Sequence, residues 1–391
     1  MKILHTSDWH LGHTLYNYDR TEEQSSMLKQ LEEIVHDEQP DVFLLAGDVY
    51  HTSQPSASVQ TLFTEALVRI HQAHPSMTIV VTAGNHDSGT KHEIFKTPWK
   101  ALNVYSIGNI EKENPERHII YIPDKGYIIA VPYTYERNIP EGFFQQLLDK
   151  VAEQNSNNLP VIMTAHTTVS GCDFTGHETT SDFTVGGIDS YNLSDLGKGY
   201  DYLALGHIHH AQFIYGSNNR ARYCGSPIPV SFDETYDHSI SMVELEKHGD
   251  SPIVRTISIQ NPHPLVTIPT DEAAEWNEVI RQLKDFPDDI PAYIRLNVEV
   301  TDFLPPESRF EAMAITEKKA ARFCLINTKR KQKEESDKRI FTIAEFQKQR
   351  PIDIAQQYIE DLGMTFDEEL KRMFQEVERT VNENEREINQ D

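Results

Sequence analysis

Cysteine is scarce in this chain: three residues in 391, at Cys172, Cys224 and Cys324. They are widely separated, odd in number and never spaced as CxxC, which excludes a disulfide framework and a zinc knuckle. Buried or surface thiols of a reducing cytosol are expected instead. Long hydrophobic runs are also missing, and no stretch approaches the roughly eighteen apolar residues of a membrane span. Met1-Lys2-Ile3-Leu4-His5 enters a strand pattern at once, unlike a cleaved signal peptide. Positive charge is the third deficit. With 36 Lys+Arg against 61 Asp+Glu, the formal net charge is −25. That disfavours a free-standing, high-affinity nucleic-acid binder, because such affinity comes mainly from Lys and Arg on phosphates. The objection weakens where metal ions or a partner supply the missing charge.

What the chain has is an ordered set of five short polar strings. These are Asp8-Trp9-His10, Gly47-Asp48, Gly84-Asn85-His86-Asp87, Ala165-His166 and Gly206-His207-Ile208-His209. Singly, such strings recur by chance. Here each closely follows an apolar run of strand type: Ile3-Leu4, 42–46, 79–81, 161–163 and 203–205. Polar residues at the carboxyl ends of neighbouring strands converge in one crevice.

The set supplies two carboxylates, one amide and four imidazoles. A carboxylate can bridge two cations, and Asp48 is the natural bridge. Asp8, His10 and His209 would complete one metal site; Asn85, His166 and His207 would complete the other. Mixed nitrogen and oxygen ligation suits Mn, Fe or Zn better than Mg or Ca, and the lack of a Cys ligand disfavours structural zinc. Two divalent cations bring four positive charges and the two aspartates remove two. The remainder suits a hydroxide and a phosphodiester monoanion, the partners of a two-metal hydrolysis. His86 is not needed as a ligand and is expected to donate a hydrogen bond or a proton to the leaving oxygen. Asp87 either holds that imidazole or does turn chemistry. His210 reads as a surface neighbour, and His5, His13, His71 and His74 carry no motif.

Residues 1–260 alternate strand runs with amphipathic helices over 20–36, 56–74 and 141–154, then turn to short strands after His209. This predicts an α/β sandwich with an increasingly antiparallel second half. Asn261-Pro262-His263-Pro264 ends that domain. Residues 261–340 contain a strand–helix–strand–helix–strand pattern, a small α+β domain, with a charged arm over 329–339. Residues 341–391 predict a helix pair. Ile354, Tyr358, Ile359 and Leu362 line the first helix, and Phe366, Leu370, Met373, Phe374 and Val377 line the second behind a Thr365-x-x-Glu368 capping box.

The five strings together resemble the calcineurin-like metallophosphoesterase family over residues 1–260. The family fold is a two-sheet sandwich flanked by helices, and its nuclease branch commonly uses manganese. The segments Thr6 to Gly12, Gly47 to Ser56, Val185-Gly186-Gly187 and Tyr223 to Phe232 are similar to the SbcD-type nuclease branch, which often has Ser at the place of Cys224. The resemblance implies two Mn(2+) ions, DNA ends and hairpins as substrate, and an SbcC-type, SMC-like ATPase partner. It further implies a homodimer within a heterotetramer, and a cytoplasmic, nucleoid-associated role in DNA repair, recombination and replication. His51 matches a histidine that faces DNA, against the plain reading of a turn residue. Residues 261–340 would be a capping domain that holds DNA, and 341–391 the helices that bind the ATPase coiled-coil base. The basic concentration Lys318, Lys319, Arg322, Lys329, Arg330, Lys331 and Lys333 either meets the DNA backbone or is simply solvated. The Phe366–Val377 stripe is either core or partner surface. Two rivals share the motifs: a phosphatase or cyclic-nucleotide phosphodiesterase on a small substrate, and a scaffold of the same fold that has lost its chemistry.

Overall fold

Two six-stranded sheets carry the metal-site strings at their strand ends. One runs in the order Ile253–Ser258, Ser239–Glu244, Lys2–Thr6, Val42–Ala46, Thr78–Thr82, Val104–Ile107. The other runs Gln212–Phe213, Ala221–Tyr223, Tyr202–Gly206, Val161–His166, Gly126–Ala130, Ile119–Ile122. This computed structural model describes residues 1–176 and 190–331, and near the C-terminus 352, 356, 359, 366 and 370–374. The central strands are parallel, and the edges turn antiparallel.

The strands read as continuous apolar runs because both of their faces are covered. Ile3, Val42, Leu44 and Val80 pack against Ile128, Ile162 and Ala204 of the opposite sheet. The alternate residues Leu4, Phe43, Leu45 and Ile79 meet the helices Thr21–Glu38 and Ala57–Ala73. The second sheet is covered outside by Phe143–Gln154. All three helices lie where the apolar periodicity predicts them, and Ser56 caps the second through its hydroxyl, which accepts from Val59 N at 3.3 Å. The periodicity does not predict the short helices Gly89–Ile94 and Lys96–Lys100 or the strands between 104 and 130. Elements this short carry too few residues to establish a period.

The expected strand–helix–strand–helix–strand pattern folds as a three-stranded parallel sheet, Leu265–Ile268, Tyr293–Val300 and Arg322–Arg330, with helices Trp276–Asp285 and Ser308–Thr316. The last strand extends to Arg330, so Lys329 and Arg330 are exposed strand residues rather than part of an arm. This sheet is docked on the sandwich. Tyr18 Oη donates to the Phe323 carbonyl at 3.0 Å, and the Arg322 guanidinium lies over the Tyr18 and Tyr293 rings. Met1–Arg330 forms one compact unit, and Lys331–Asp391 is a second. In the second unit residues 370–374 are helical, Leu370 and Phe374 are half-buried, and Met373 is 60% exposed. Phe366 is half-buried; Val377, Lys333, Val185-Gly186-Gly187, Ile354, Tyr358 and Leu362 lie outside the described residues. The three cysteines are buried and unpaired. No helix among the described residues is long and apolar enough to cross a membrane.

A polar cluster interrupts the apolar layer between the sheets. His5 Nδ1 is 3.0 Å from Tyr202 Oη, and Arg222 Nε donates to Ser241 Oγ at 3.0 Å. Burial first, and the Arg222 charge second, push the His5 pKa down to about 3. In the unfolded chain His5 takes up a proton near pH 6.5, whereas the folded chain resists it, so stability falls as the pH drops below that value. Between pH 7.5 and 5 His5 is expected to cost the native chain roughly 2 kcal/mol. Urea denaturation in chelator should show a shallower pH dependence for His5→Gln by that amount; equal slopes would refute the assignment.

Candidate metal centre

All five strings reach the same end of the sandwich, the first three from one sheet and the last two from the other. Chain alternation explains their spelling. Trp9, between Asp8 and His10, is 1% exposed; it packs edge-on to Phe43 and Phe63, and its indole N–H donates to Thr6 Oγ1. Ile208, between His207 and His209, is fully buried. In both triplets the middle side chain is anchored in the core while its two neighbours reach the site. The loops after Lys2–Thr6 and Val42–Ala46 remain hydrogen-bonded beyond the sheet: Asp8 N to the Gly47 carbonyl, His10 N to that of Asp48, and Leu11 N to that of Val49.

The glycines have steric reasons. A Cβ on Gly47, whose φ is +90°, would sit 2.1 Å from His166 Nδ1, and one on Gly84 would sit 2.0 Å from Asp48 Oδ1. Four of the ligand candidates, Asp8, His10, Asp48 and His207, have φ between 44° and 99°. Non-glycine residues pay for that conformation in strain, and such strain gathers at functional sites.

The geometry groups the side chains as the sequence did. Asp8, His10 and His209 form one cluster of donor atoms, and Asp48, His166 and His207 another. Asn85 Oδ1 joins the second, 3.1 Å from His166 Nε2 and 3.0 Å from His207 Nδ1. Asp48 stands between them. Its Oδ1 accepts from His86 N at 2.9 Å, and its Oδ2 lies 3.3 Å from His166 Nε2 and 3.8 Å from His10 Nε2. Asp8 is held by the backbone N–H of His207 and the hydroxyl of Ser7.

Tautomers test whether this set fits cations. His166 Nδ1 lies 2.8 Å from the Ala46 carbonyl, which only accepts, so the ring proton is on Nδ1. Nε2 then faces two oxygens, Asp48 Oδ2 and Asn85 Oδ1, with room for a proton or a cation to be shared among them. His209 Nδ1 likewise donates to Glu234 Oε1 at 2.9 Å, and its Nε2 meets His10 Nε2 at 3.1 Å. Imidazole nitrogens, carboxylates and an amide oxygen converging in this way form a nitrogen–oxygen set that suits a divalent transition metal. The proton affinities divide the imidazoles. Burial opposes the charged form of His166, but Asp48 outweighs it and raises the pKa to about 9. Burial lowers His207 to about 3 and holds His10 well below the usual value.

His86 and His51 border this centre. His86 Nδ1 donates to the His51 carbonyl at 2.9 Å, and the two rings stack at 5.6 Å. His10 lies edge-on to both rings. Asp87 spends its carboxylate on the backbone: Oδ2 accepts from Val49 N and Gly84 N, and Oδ1 from Tyr50 N. It stitches two site loops together, the turn role, and the His86 ring is oriented by His51.

Of the basic residues, Lys318, Lys319, Arg322, Lys329 and Arg330 lie in or beside the small sheet. Lys318 is exposed. Lys319, which on the sequence reading either meets the DNA backbone or is solvated, has its Nζ committed to the carbonyls of Lys284 and Phe286 and to Asp288, closing the C-terminus of a helix. The Arg322 charge is used on Tyr18 and Tyr293 rather than projecting free. Two contributors had no motif. Glu234 supports His209, and His13 packs its ring 4.6 Å from that of His51.

Residues 1–211 match the family described as Calcineurin-like phosphoesterase. The chain is 30% identical over 311 residues to the SbcD subunit of the nuclease SbcCD of Rhodobacter capsulatus, covering 72% of this chain and 75% of that protein. It is 28% identical over 358 residues to the corresponding SbcCD subunit of Escherichia coli K12, with 85% and 86% covered. It is 30% identical over 329 residues to that of Bacillus subtilis 168, with 78% and 81% covered.

Gly84→Ala tests the packing at the bridge. The added methyl is expected to cost roughly 1–3 kcal/mol and to weaken divalent-cation binding by displacing Asp48. Calorimetric titration with unchanged affinity would show that Asp48 does not need its present place.

Proposed function

The chain belongs to the calcineurin-like phosphoesterase family, in the branch of the SbcD nucleases, and from that membership we propose how its residues divide the work of cutting DNA. It is a metal-dependent phosphodiesterase and the nuclease subunit of its assembly. Asp8, His10, Asp48 and His209 would hold one cation, and Asp48, Asn85, His166 and His207 the other, with Mn(2+) at both. Such a pair, when bound, supplies an activated water and neutralises the phosphodiester for in-line displacement. The observation that carries this assignment is Asp48 Oδ2 facing imidazole nitrogens of both clusters, while Oδ1 is tied to backbone.

His86 is the proton donor to the leaving oxygen. Because Nδ1 is spent on the His51 carbonyl, Nε2 is the working nitrogen, and that same carbonyl stabilises the protonated ring. His51 positions the DNA strand beside it. Asp87 keeps the two loops in register without touching the reacting atoms. The substrate is a DNA end, cut as a double-strand exonuclease, or a single strand or hairpin, cut as an endonuclease. Residues 261–340 form the cap that holds DNA, with Lys318 and the exposed Lys329, Arg330 and Lys331 toward the backbone. Residues 341–391, through Phe366, Leu370, Met373, Phe374 and Val377, bind the coiled-coil base of an SbcC-type, SMC-like ATPase. Two nuclease chains pair in the assembly, which works at the cytoplasmic nucleoid in repair, recombination and replication.

Asp48→Ala is expected to lose both Mn(2+) binding and cleavage of hairpin and linear DNA. His86→Ala should keep the ions and lose about 10²–10⁴-fold in rate. Full cleavage by both variants would overturn the site. Removing residues 341–391 should abolish co-purification with the ATPase partner and leave Mn(2+) binding intact; retained co-purification would overturn the helix assignment.

A further inference from the structure

We infer that Glu234 is the positioning residue of His209, and that the small sheet unit acts on the same pocket through the adjacent Asp233. The inference deepens the metal-centre reading and rests on His209 being a ligand.

The Glu234 side chain is fully buried, and its carboxylate is divided between two tasks. Oε1 accepts the Nδ1 proton of His209 at 2.9 Å. Oε2 accepts from Ser226 Oγ at 3.2 Å and from Val230 N at 3.3 Å, with His238 Nε2 3.7 Å away. The first contact fixes the tautomer that presents Nε2 to the pocket and makes that nitrogen a better donor. The second set fixes the carboxylate itself. Partners of this kind set the orientation and basicity of ligating imidazoles.

Asp233 faces the other way. Its carboxylate pairs with Arg295 Nη1 at 2.6 Å; Arg295 Nε donates to Thr267 Oγ1, and the guanidinium lies over the Phe232 ring at 5.3 Å. Arg295 stands where the pairing of Tyr293–Val300 with Arg322–Arg330 slips register, between Ile294 and Arg295. A slip of this type re-aims a side chain. On the other side of the segment, Arg20 Nη1 donates to the Pro229 carbonyl at 2.7 Å. Two consecutive residues therefore join the small sheet to a metal ligand. A shift of Arg295 either is absorbed by the backbone at 233–234 or moves the His209 ring.

The test is Mn(2+) titration calorimetry on the full chain, with thermal melts to confirm folding. Glu234→Gln keeps the side-chain volume, and it is expected to weaken the His209-containing step by about 10–100-fold while the other step stays nearly unchanged. Arg295→Met should weaken the same step several-fold, Arg295→Lys should restore most of it, and Arg295→Met should add little on top of Glu234→Gln. Folded Glu234→Gln with native affinity would overturn the positioning role. Independent, additive effects of Glu234→Gln and Arg295→Met, or an inert Arg295→Met, would overturn the link to the small sheet. His209→Ala separates the premise: if it leaves both steps unchanged, the ligand assignment itself fails.

Discussion

The site depends on the crowding of imidazole, carboxylate and amide donor atoms around two points. His166 Nε2 faces two oxygens, and the Nε2 atoms of His10 and His209 face each other; His10, Asp48, His166 and His209 are buried and Asn85 is half-buried. Buried lone pairs aimed at one another are costly unless a cation or proton lies between them. The rest of the local structure holds the arrangement open. Ala46 and Glu234 occupy the outer ring nitrogens, the backbone of His86 takes one oxygen of Asp48, and the backbone of His207 takes Asp8. The first three contacts leave an inward ring nitrogen or carboxylate oxygen facing the site, whereas both oxygens of Asp8 accept from the His207 backbone.

Holding such a site open places demands on the chain around it. Four ligand candidates adopt positive φ, and two glycines allow approaches that no side chain would. The strain is sustained because the sandwich beneath is over-determined: strands buried on both faces, one helix-covered core outside each sheet, and Trp9 and Ile208 anchoring the loops within a residue of the ligands. Here burying hydrophobic residues and aiming the ligands are a single task, performed by alternation along the same few residues.

That coupling explains what was legible in the sequence. Asp8-Trp9-His10 and His207-Ile208-His209 announce themselves because ligand and anchor are neighbours in the chain, and the strands before them are long enough to recognise. The helices over 21–38, 57–73 and 143–154 were legible for the same reason, a sustained apolar period. Glu234 was not, because its tie to His209 spans 25 residues with no fixed spacing. The place of Lys319 was not legible either, because a lysine that closes a helix end through carbonyls of Lys284 and Phe286 has the same spelling as one that is solvated or meets DNA. The 88–130 stretch gave no period because its elements are only four to six residues long.

The charge balance bears on how an acidic chain handles an acidic substrate. With a net charge of −25, the surface as a whole repels phosphates, and screening shortens that repulsion to roughly 8–10 Å at ordinary salt. Two of the basic groups of the 318–333 concentration are occupied internally, Lys319 on carbonyls and Arg322 on aromatic rings. In the proposed function, attraction is then concentrated in two places: the cleft, where bound cations exceed the charge of Asp8 and Asp48, and whatever basic surface the ATPase partner brings. A nuclease built this way gains little from gripping duplex DNA indiscriminately. On that proposal it would act where an end or an unpaired strand is brought to the cleft, and the partner would then share in substrate selection.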